Sequence, residues 1–298
     1  MRLAAPIRRR RAVALALFAA VVAVLASTGV ASADLLSPES GGSPNADRID
    51  TLYWLIFAVA LVVFIGVEGV IFYSLFKFRA RKGVVPAQIR GNTRLEIGWT
   101  IGAAVILVVL GVFTFVKLPG IRNPDVSAAN GYQGGYVQIA DATRRVPPSG
   151  KFLNVCVTGQ QYIWRYTYAP NCASGNNFKY AFSYTDMYVP TDTTITLDIN
   201  GQDVAHSWWI PKLGGKFDAV PGYTNHTWFK IPGKYAGKTM FTGQCAELCG
   251  RNHANMIARV IPVSPQQFET WLAQRKTDIK AADTAAAAQR KELEKTSP

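Results

Sequence analysis

Two thiols, an imidazole and a thioether fall within the twelve residues from Cys245 to Met256, in the run Gly243-Gln244-Cys245-Ala246-Glu247-Leu248-Cys249-Gly250-Arg251-Asn252-His253-Ala254-Asn255-Met256. These are the soft and borderline donors that copper selects. Cysteine binds a metal as thiolate, and a thioether is a weak axial donor. The Cys-x-x-x-Cys spacing lets one turn bring both sulfurs inward. A second imidazole, His206, follows the apolar run at residues 194–199. A mononuclear blue-copper site takes one Cys, two His and a distant Met, and this chain offers one Cys more. Two Cys, two His and one Met suit two coppers bridged by both thiolates, with one imidazole on each. Met256 and a backbone carbonyl are left for the weak positions. Two structural alternatives stay open: a small-loop disulfide, which needs neither His, and a Cys₂His₂ zinc site, which has no use for Met256.

The blocks around these donors are His206-Ser207-Trp208, Pro211-Lys212-Leu213-Gly214 and Lys216-Phe217-Asp218-Ala219-Val220-Pro221-Gly222, followed by the ligand loop. In type and order they resemble subunit II of cytochrome c oxidase and its dinuclear copper centre, CuA. The resemblance covers about residues 51–262. It implies a cupredoxin-like Greek-key barrel in which Cys245 and Cys249 bridge both coppers. His206 and His253 each bind one, Met256 is weak ligand to one, and the Glu247 carbonyl serves the other. The Glu247 side chain would reach a magnesium or manganese ion shared with subunit I. The family usually carries Trp-Tyr-Trp where this chain has Tyr162-Ile163-Trp164, so Tyr162 and Trp164 would be the aromatics through which electrons enter, unless they are ordinary core. Glu96 would lie at the mouth of a proton channel of subunit I; as a bland alternative, an acid simply suits a helix N-terminus. The implied role is to take electrons from cytochrome c and pass them to haem in subunit I, where oxygen is reduced to water with proton pumping. Subunit III is a further implied partner. A nitric oxide reductase subunit with the same centre and a stand-alone copper-delivery module are the competing functions.

The flanking elements must place this cluster outside a membrane. Of the 298 residues 49% are hydrophobic, and the net charge is +13. Eleven positives account for most of that excess: Arg2, Arg8, Arg9, Arg10 and Arg11 precede the first apolar run, and Lys77, Arg79, Arg81, Lys82, Arg90 and Arg94 lie between two later ones. They read as positive-inside topology signals rather than a nucleic-acid face. Residues 1–33 read as a cleaved signal peptide ending in Ala31-Ser32-Ala33, residues 34–50 as an exported linker, and residues 51–118 as a transmembrane hairpin, with crossings at 52–76 and 95–118. The plasma (inner) membrane is therefore expected, with the copper domain outside. Glu68 lies within the first crossing, where a carboxyl kept neutral against a partner helix is the plain reading.

Within the expected domain at 119–263, short Val/Ile/Thr/Tyr/Phe runs alternate with turn residues from 135 to 263, as in an all-β barrel or sandwich; strands are expected at 136–139, 153–157, 162–168, 184–190, 194–199 and 257–261. Cys156 and Cys172, flanking the aromatic strand, are expected to form a disulfide. His226 matches no ligand position and reads as a surface or turn residue. Residues 264–298 read as an exposed helical tail. No Cys-x-x-Cys-His haem-attachment motif occurs. The region from Arg122 to Arg259 holds more Lys and Arg than Asp and Glu, a poor match to a soluble basic cytochrome c. A membrane-tethered cytochrome c, held in a supercomplex, is the expected donor.

Overall fold

A computed structural model describes residues 37–80, 83, 85, 87–134, 145–148, 151–170, 172 and 180–296. The expected signal at 1–33 and strand at 136–139 lie outside them, as do Arg81 and Lys82.

Helix α1 (Pro44–Lys77) and helix α2 (Thr93–Arg122) are the two apolar elements, each long enough to cross a membrane. Helix α1 begins with Pro at its first turn, where the missing N–H costs nothing. It therefore starts inside the stretch expected to be linker, and the reason is tertiary. Ser43 and Asn45, both buried, are tied to a strand of the β domain: Asn45 Nδ2 donates to the Trp228 carbonyl (2.8 Å), and Lys230 N–H donates to Ser43 Oγ (3.1 Å). At the other end of α2, Trp228 Nε1 donates to the Ile121 carbonyl (2.9 Å), and Arg48 grips both oxygens of Asp125 at 3.0 Å. Helix α2 opens with reciprocal caps. Asn92 Oδ1 accepts from Leu95 N–H and Glu96 Oε1 accepts from Asn92 N–H, both at 3.2 Å. Glu68 is half-buried in mid-helix.

Ten strands follow: β1 (Leu153–Gln160), β2 (Ile163–Thr167), β3 (Phe182–Tyr184), β4 (Asp186–Pro190), β5 (Thr194–Gly201), β6 (His206–Trp209), β7 (Phe217–Ala219), β8 (Asn225–Lys230), β9 (Phe241–Cys245) and β10 (Ile257–Val263). They form two five-stranded sheets, ordered β3-β2-β1-β5-β8 and β4-β10-β9-β6-β7. The pairs β1/β5 and β4/β10 are parallel and the other ladders antiparallel. The architecture is thus a cupredoxin-like sandwich or half-barrel rather than a fully closed barrel. Its core includes Val155, Val157, Trp164, Tyr166, Met187, Ile195, Leu197, Ile199, Trp208, Ala258 and Val260, all at most 2 % exposed. Strand β10 shows the alternation of a half-buried strand, with Ala258, Val260 and Pro262 inward, as its period of two demands.

The C-terminal helix α3 (Pro265–Thr296) corrects the expectation of an exposed tail. It is opened by a reciprocal Ser264/Gln267 capping box (3.2 and 3.0 Å). Phe268 and Leu272 are buried in the core, and Trp271 stacks on Tyr188 at 4.8 Å. Only from Ala281 onward is the helix exposed throughout. His226 is likewise a strand residue: it lies on β8, and its Nδ1 meets Asp198 Oδ1 at 2.8 Å. Cys156 on β1 is joined to Cys172 by a disulfide, with Cα atoms 5.6 Å apart, an ordinary separation for such a bond.

Candidate metal centre

Strand pairing brings the donors together. In the β6/β9 ladder Trp208 lies opposite Cys245, so His206, two residues before Trp208, is held near the thiol. Strand β9 ends at Cys245 and β10 begins at Ile257, with Ile257 opposite Gln244. Cys245 N–H donates to the Met256 carbonyl at 2.9 Å, closing the loop at its base. Within it, His253 opens a 3₁₀ turn, Met256 N–H donates back to the His253 carbonyl, and Gly250 sits at φ +133°. A β-carbon on Gly250 would also lie 2.6 Å from the Tyr162 hydroxyl. Glycine is thus favoured there by conformation, and a larger residue would also push the Tyr162 hydroxyl aside.

The donor atoms converge. Cys245 Sγ and Cys249 Sγ are 3.9 Å apart, and both cysteines are free and buried. A ring nitrogen of His206 and both sulfurs lie within 4.8 Å of one another. His206 Nδ1 is 3.9 Å from Cys245 Sγ, and His253 Nδ1 is 3.5 Å from Cys249 Sγ. Each imidazole therefore faces a different sulfur. The Glu247 carbonyl accepts from Cys245 Sγ at 3.2 Å, and Met256 Sδ lies 3.9 Å from Cys249 Sγ. His206 and Met256 are wholly buried, His253 is half-buried and Glu247 is exposed. Burial, reinforced by the neighbouring Cys245 thiol, pushes the Cys249 thiol up to about 11. A metal ion binding there has to displace that proton.

Two residues whose roles the sequence did not signal orient this cluster. Asp203 Oδ1 meets His206 Nε2 at 2.8 Å, which assigns Nδ1 to the thiol side. Burial pushes the Asp203 carboxyl up, but hydrogen bonds from Gln161 N–H, the His206 ring and Val204 N–H outweigh it and hold the carboxyl below its usual range. Gln161, in the β1–β2 turn, gives its N–H to Asp203 Oδ2 (2.7 Å) and its side-chain N–H to the Cys249 carbonyl (2.7 Å). It thus ties both ligand loops to one hairpin. The only sign in the sequence was an acid three places before a candidate ligand histidine.

The two candidate aromatics occupy different shells. Trp164 is fully buried, edge-on to His206 with ring centres 5.9 Å apart. Tyr162 is half-buried beside Gly250 and Gln161. A β-carbon on Gly159 would come within 3.0 Å of both Trp164 and His206, so that strand presses closely on the pair. Glu96 lies at the far end of α2 and is exposed, its carboxylate turned back onto the helix cap. It is not part of this cluster.

Residues 153–263 match the family "Cytochrome C oxidase subunit II, periplasmic domain" and residues 33–116 match its transmembrane domain. Cytochrome c oxidase subunit 2 of Cereibacter sphaeroides is 33% identical over 256 residues, covering 80% of this chain and 81% of that protein. The counterpart from Alkalihalophilus pseudofirmus is 31% identical over 250 residues, covering 82% of this chain; the chain spans 64% of that protein's length. Among solved structures, the periplasmic domain of subunit II of cytochrome oxidase from Bradyrhizobium japonicum is 30% identical, with a TM-score of 0.37, covering 43% of this chain and 96% of that one. Together the two matched domains, in this order on one chain, and the identity over most of a full-length relative place the chain in the cytochrome c oxidase subunit II family.

Proposed function

We propose that this membrane subunit holds a dinuclear copper centre through which electrons enter the oxidase. The observation that carries this reading is the donor set: two buried, unbonded thiols 3.9 Å apart, each facing its own imidazole. A single zinc site would leave the Met256 thioether and the Glu247 carbonyl as idle neighbours of the sulfurs. Two coppers use all six donors, with His206, Cys245, Cys249 and His253 as the strong ligands. Bound there, the metal pair supplies a one-electron store shared by two nuclei. The protein supplies rigidity. Cys245 and His206 sit on paired strands, Asp203 and Gln161 lock the loops, and the barrel end need not move when the charge changes.

Tyr162 at the surface and Trp164 against His206 form the aromatic approach for electrons from a cytochrome c. Haem in subunit I receives them, and oxygen is reduced to water there with proton pumping. The exposed Glu247 carboxylate would bind a magnesium or manganese ion shared with subunit I, and Glu96 would stand at the mouth of that subunit's proton channel. Subunit III completes the assembly. Residues 1–33 are removed as a signal, and the β domain faces outward from the plasma membrane.

Copper counting with electron paramagnetic resonance on the loaded protein tests the central claim. Two coppers sharing one unpaired electron are expected; a single-copper spectrum, or zinc alone, would overturn it. The excess of basic side chains in the β domain favours a membrane-tethered donor. Turnover with a small basic cytochrome c should then be slow and weakly dependent on salt, since no complementary charge steers the encounter. Fast turnover that falls steeply with ionic strength would point to a soluble basic donor instead.

A further inference from the structure

A cavity of about 280 Å³ opens where the two apolar helices meet the β domain. That is close to the smallest volumes, about 300 Å³, that hold small ligands. Its walls come from both helix ends, from β8, from Phe217 on β7 and from Arg145, whose guanidinium also donates to Asn123 Oδ1, and include Asn45, Ile49, Arg122 and Trp228. No carboxylate is among the described residues lining it. Asp198 stands behind one wall and is bonded to His226, while Asp125 is held by Arg48. The lip therefore carries two guanidiniums, both exposed, over an apolar and amide-lined interior.

The depth of this cavity follows from the helices. The apolar run of α1 begins at Leu52 and that of α2 ends at Leu118. At 1.5 Å per residue, Ile49 lies about 4.5 Å beyond the first, and Arg122 about 6 Å beyond the second. The headgroup layer of a bilayer is about 5–7 Å thick on each side of the hydrocarbon. Arg122 thus stands at the level of lipid phosphates, Arg145 lines the same cavity, and Trp228, bonded to the Ile121 carbonyl, stands at the level where indoles concentrate.

We propose that this cavity binds the headgroup of an anionic phospholipid from the leaflet facing the β domain. Arg122 and Arg145 take the phosphodiester, Ile49 and Phe217 form the apolar wall beside the glycerol, and the acyl chains run back toward the hydrocarbon. Two guanidiniums with no acid between them select an anionic over a zwitterionic lipid. The bound lipid would also brace the helix–strand junction already fastened by Trp228 and Asn45.

The test uses the assembled oxidase in neutral detergent, with phosphatidylglycerol, phosphatidylcholine, glycerol phosphate and inorganic phosphate as probes and native mass spectrometry as readout. One tightly held phosphatidylglycerol per chain is expected, with phosphatidylcholine much weaker. The paired change Arg122→Gln with Arg145→Gln should weaken it about 30-fold, about fivefold for each charge; Arg→Lys at both positions should keep most of the affinity. Retention unchanged in the Gln pair, or no phosphatidylglycerol at all, would overturn the proposal. Equal binding of inorganic phosphate would reduce the cavity to a free-anion site. Loss of the partner subunit in the Gln pair with an unchanged lipid count would assign it to a subunit contact.

Discussion

The β domain holds two pairs of cysteines, and their fates differ. Cys156 and Cys172, sixteen residues apart, are bonded to each other. Cys245 and Cys249, four apart, are not, although both are buried. Cys156 is buried as they are and Cys172 half-buried, so burial alone does not explain the difference; the neighbours do. Around the first pair the available donors are hard and already committed. Asn154 Nδ2 lies 3.3 Å from both Cys172 Sγ and Asp198 Oδ2, and the other oxygen of Asp198 is held by His226. Around the second pair the donors are soft and point inward: two Nδ1 atoms, a thioether and a carbonyl. A sulfur pair surrounded by satisfied oxygens and amides suits a cross-link, whereas a sulfur pair surrounded by converging imidazoles has the donor set that a soft metal selects.

Removing one sulfur from each pair separates these roles most sharply. Cys245→Ser should abolish the shared-electron copper signal altogether while leaving the sandwich folded. Cys156→Ser should leave that signal intact and lower stability by about 3 kcal/mol, the chain-entropy value for a loop of this length. Urea unfolding followed by circular dichroism, alongside the copper spectrum, reads both. A folded Cys156→Ser protein that had lost its copper signal would mean that the disulfide supports the site, and the contrast between the pairs would collapse.

How much of this was legible in the sequence depends on the range of the signal. The convergence of the donors was readable because soft-metal chemistry needs particular atom types, and five of the six donors lie in one short loop. The two helices were readable from unbroken apolar runs. Most strand positions were readable from alternation, as in β10. What failed depended on contacts distant in sequence. Helix α1 starts at Pro44 rather than in the fifties because Ser43 and Asn45 reach β8, more than 180 residues away. The first turns of α3 joined the core because Phe268 and Trp271 found Tyr132, Tyr168 and Tyr188. His226 looked like a turn residue because nothing local announces its partner, the buried Asp198 on the neighbouring strand. Asp203 and Gln161 were missed for the same reason: they bond to the candidate ligand residues and their loops rather than offering donors of their own.

Both cysteine pairs hang on one core, so alkali should release them together. Burial raises Tyr166 and Tyr168 above their ordinary range. Their protonated forms are thus favoured in the folded state, while the unfolded chain begins to ionise near pH 10. Stability is then fully present below pH 10 and falls as pH rises above it, by about 1.4 kcal/mol per pH unit for each tyrosine, or about 2.7 for both. Tyr168→Phe removes one titrating group, along with the hydrogen bond from its hydroxyl to the Tyr188 carbonyl (2.8 Å). It should therefore lower the slope above pH 10 by about 1.4 kcal/mol per pH unit, the share of one group, while lowering stability somewhat at neutral pH. Unfolding free energies at several pH values between 9 and 12 would show the slope. Copper loss well below the pH at which the fold yields would show that the two regions are not one cooperative unit.

The smallest expected effect comes from a second pairing in the same molecule. Two histidines each meet a carboxylate at 2.8 Å, His226 with Asp198 and His206 with Asp203. The Asp198 side chain is 2 % exposed and the Asp203 side chain 34 %, so water screens the second and not the first. Asp198→Asn should therefore cost stability, because it leaves a strand histidine facing an amide inside the sheet, and it should leave the copper potential unchanged. Asp203→Asn should do the reverse. The fold and the copper count should hold, but the imidazole on the metal loses an anionic partner that stabilises positive charge beyond it. The oxidised centre is then less favoured and the potential rises. A screened hydrogen bond of about 1 kcal/mol corresponds to a shift on the order of 40 mV for one electron. A redox titration of the two variants decides the matter. An unchanged potential in Asp203→Asn would mean that the carboxylate only orients the ring, a role that its amide replacement can still fill by turning its oxygen toward the same nitrogen.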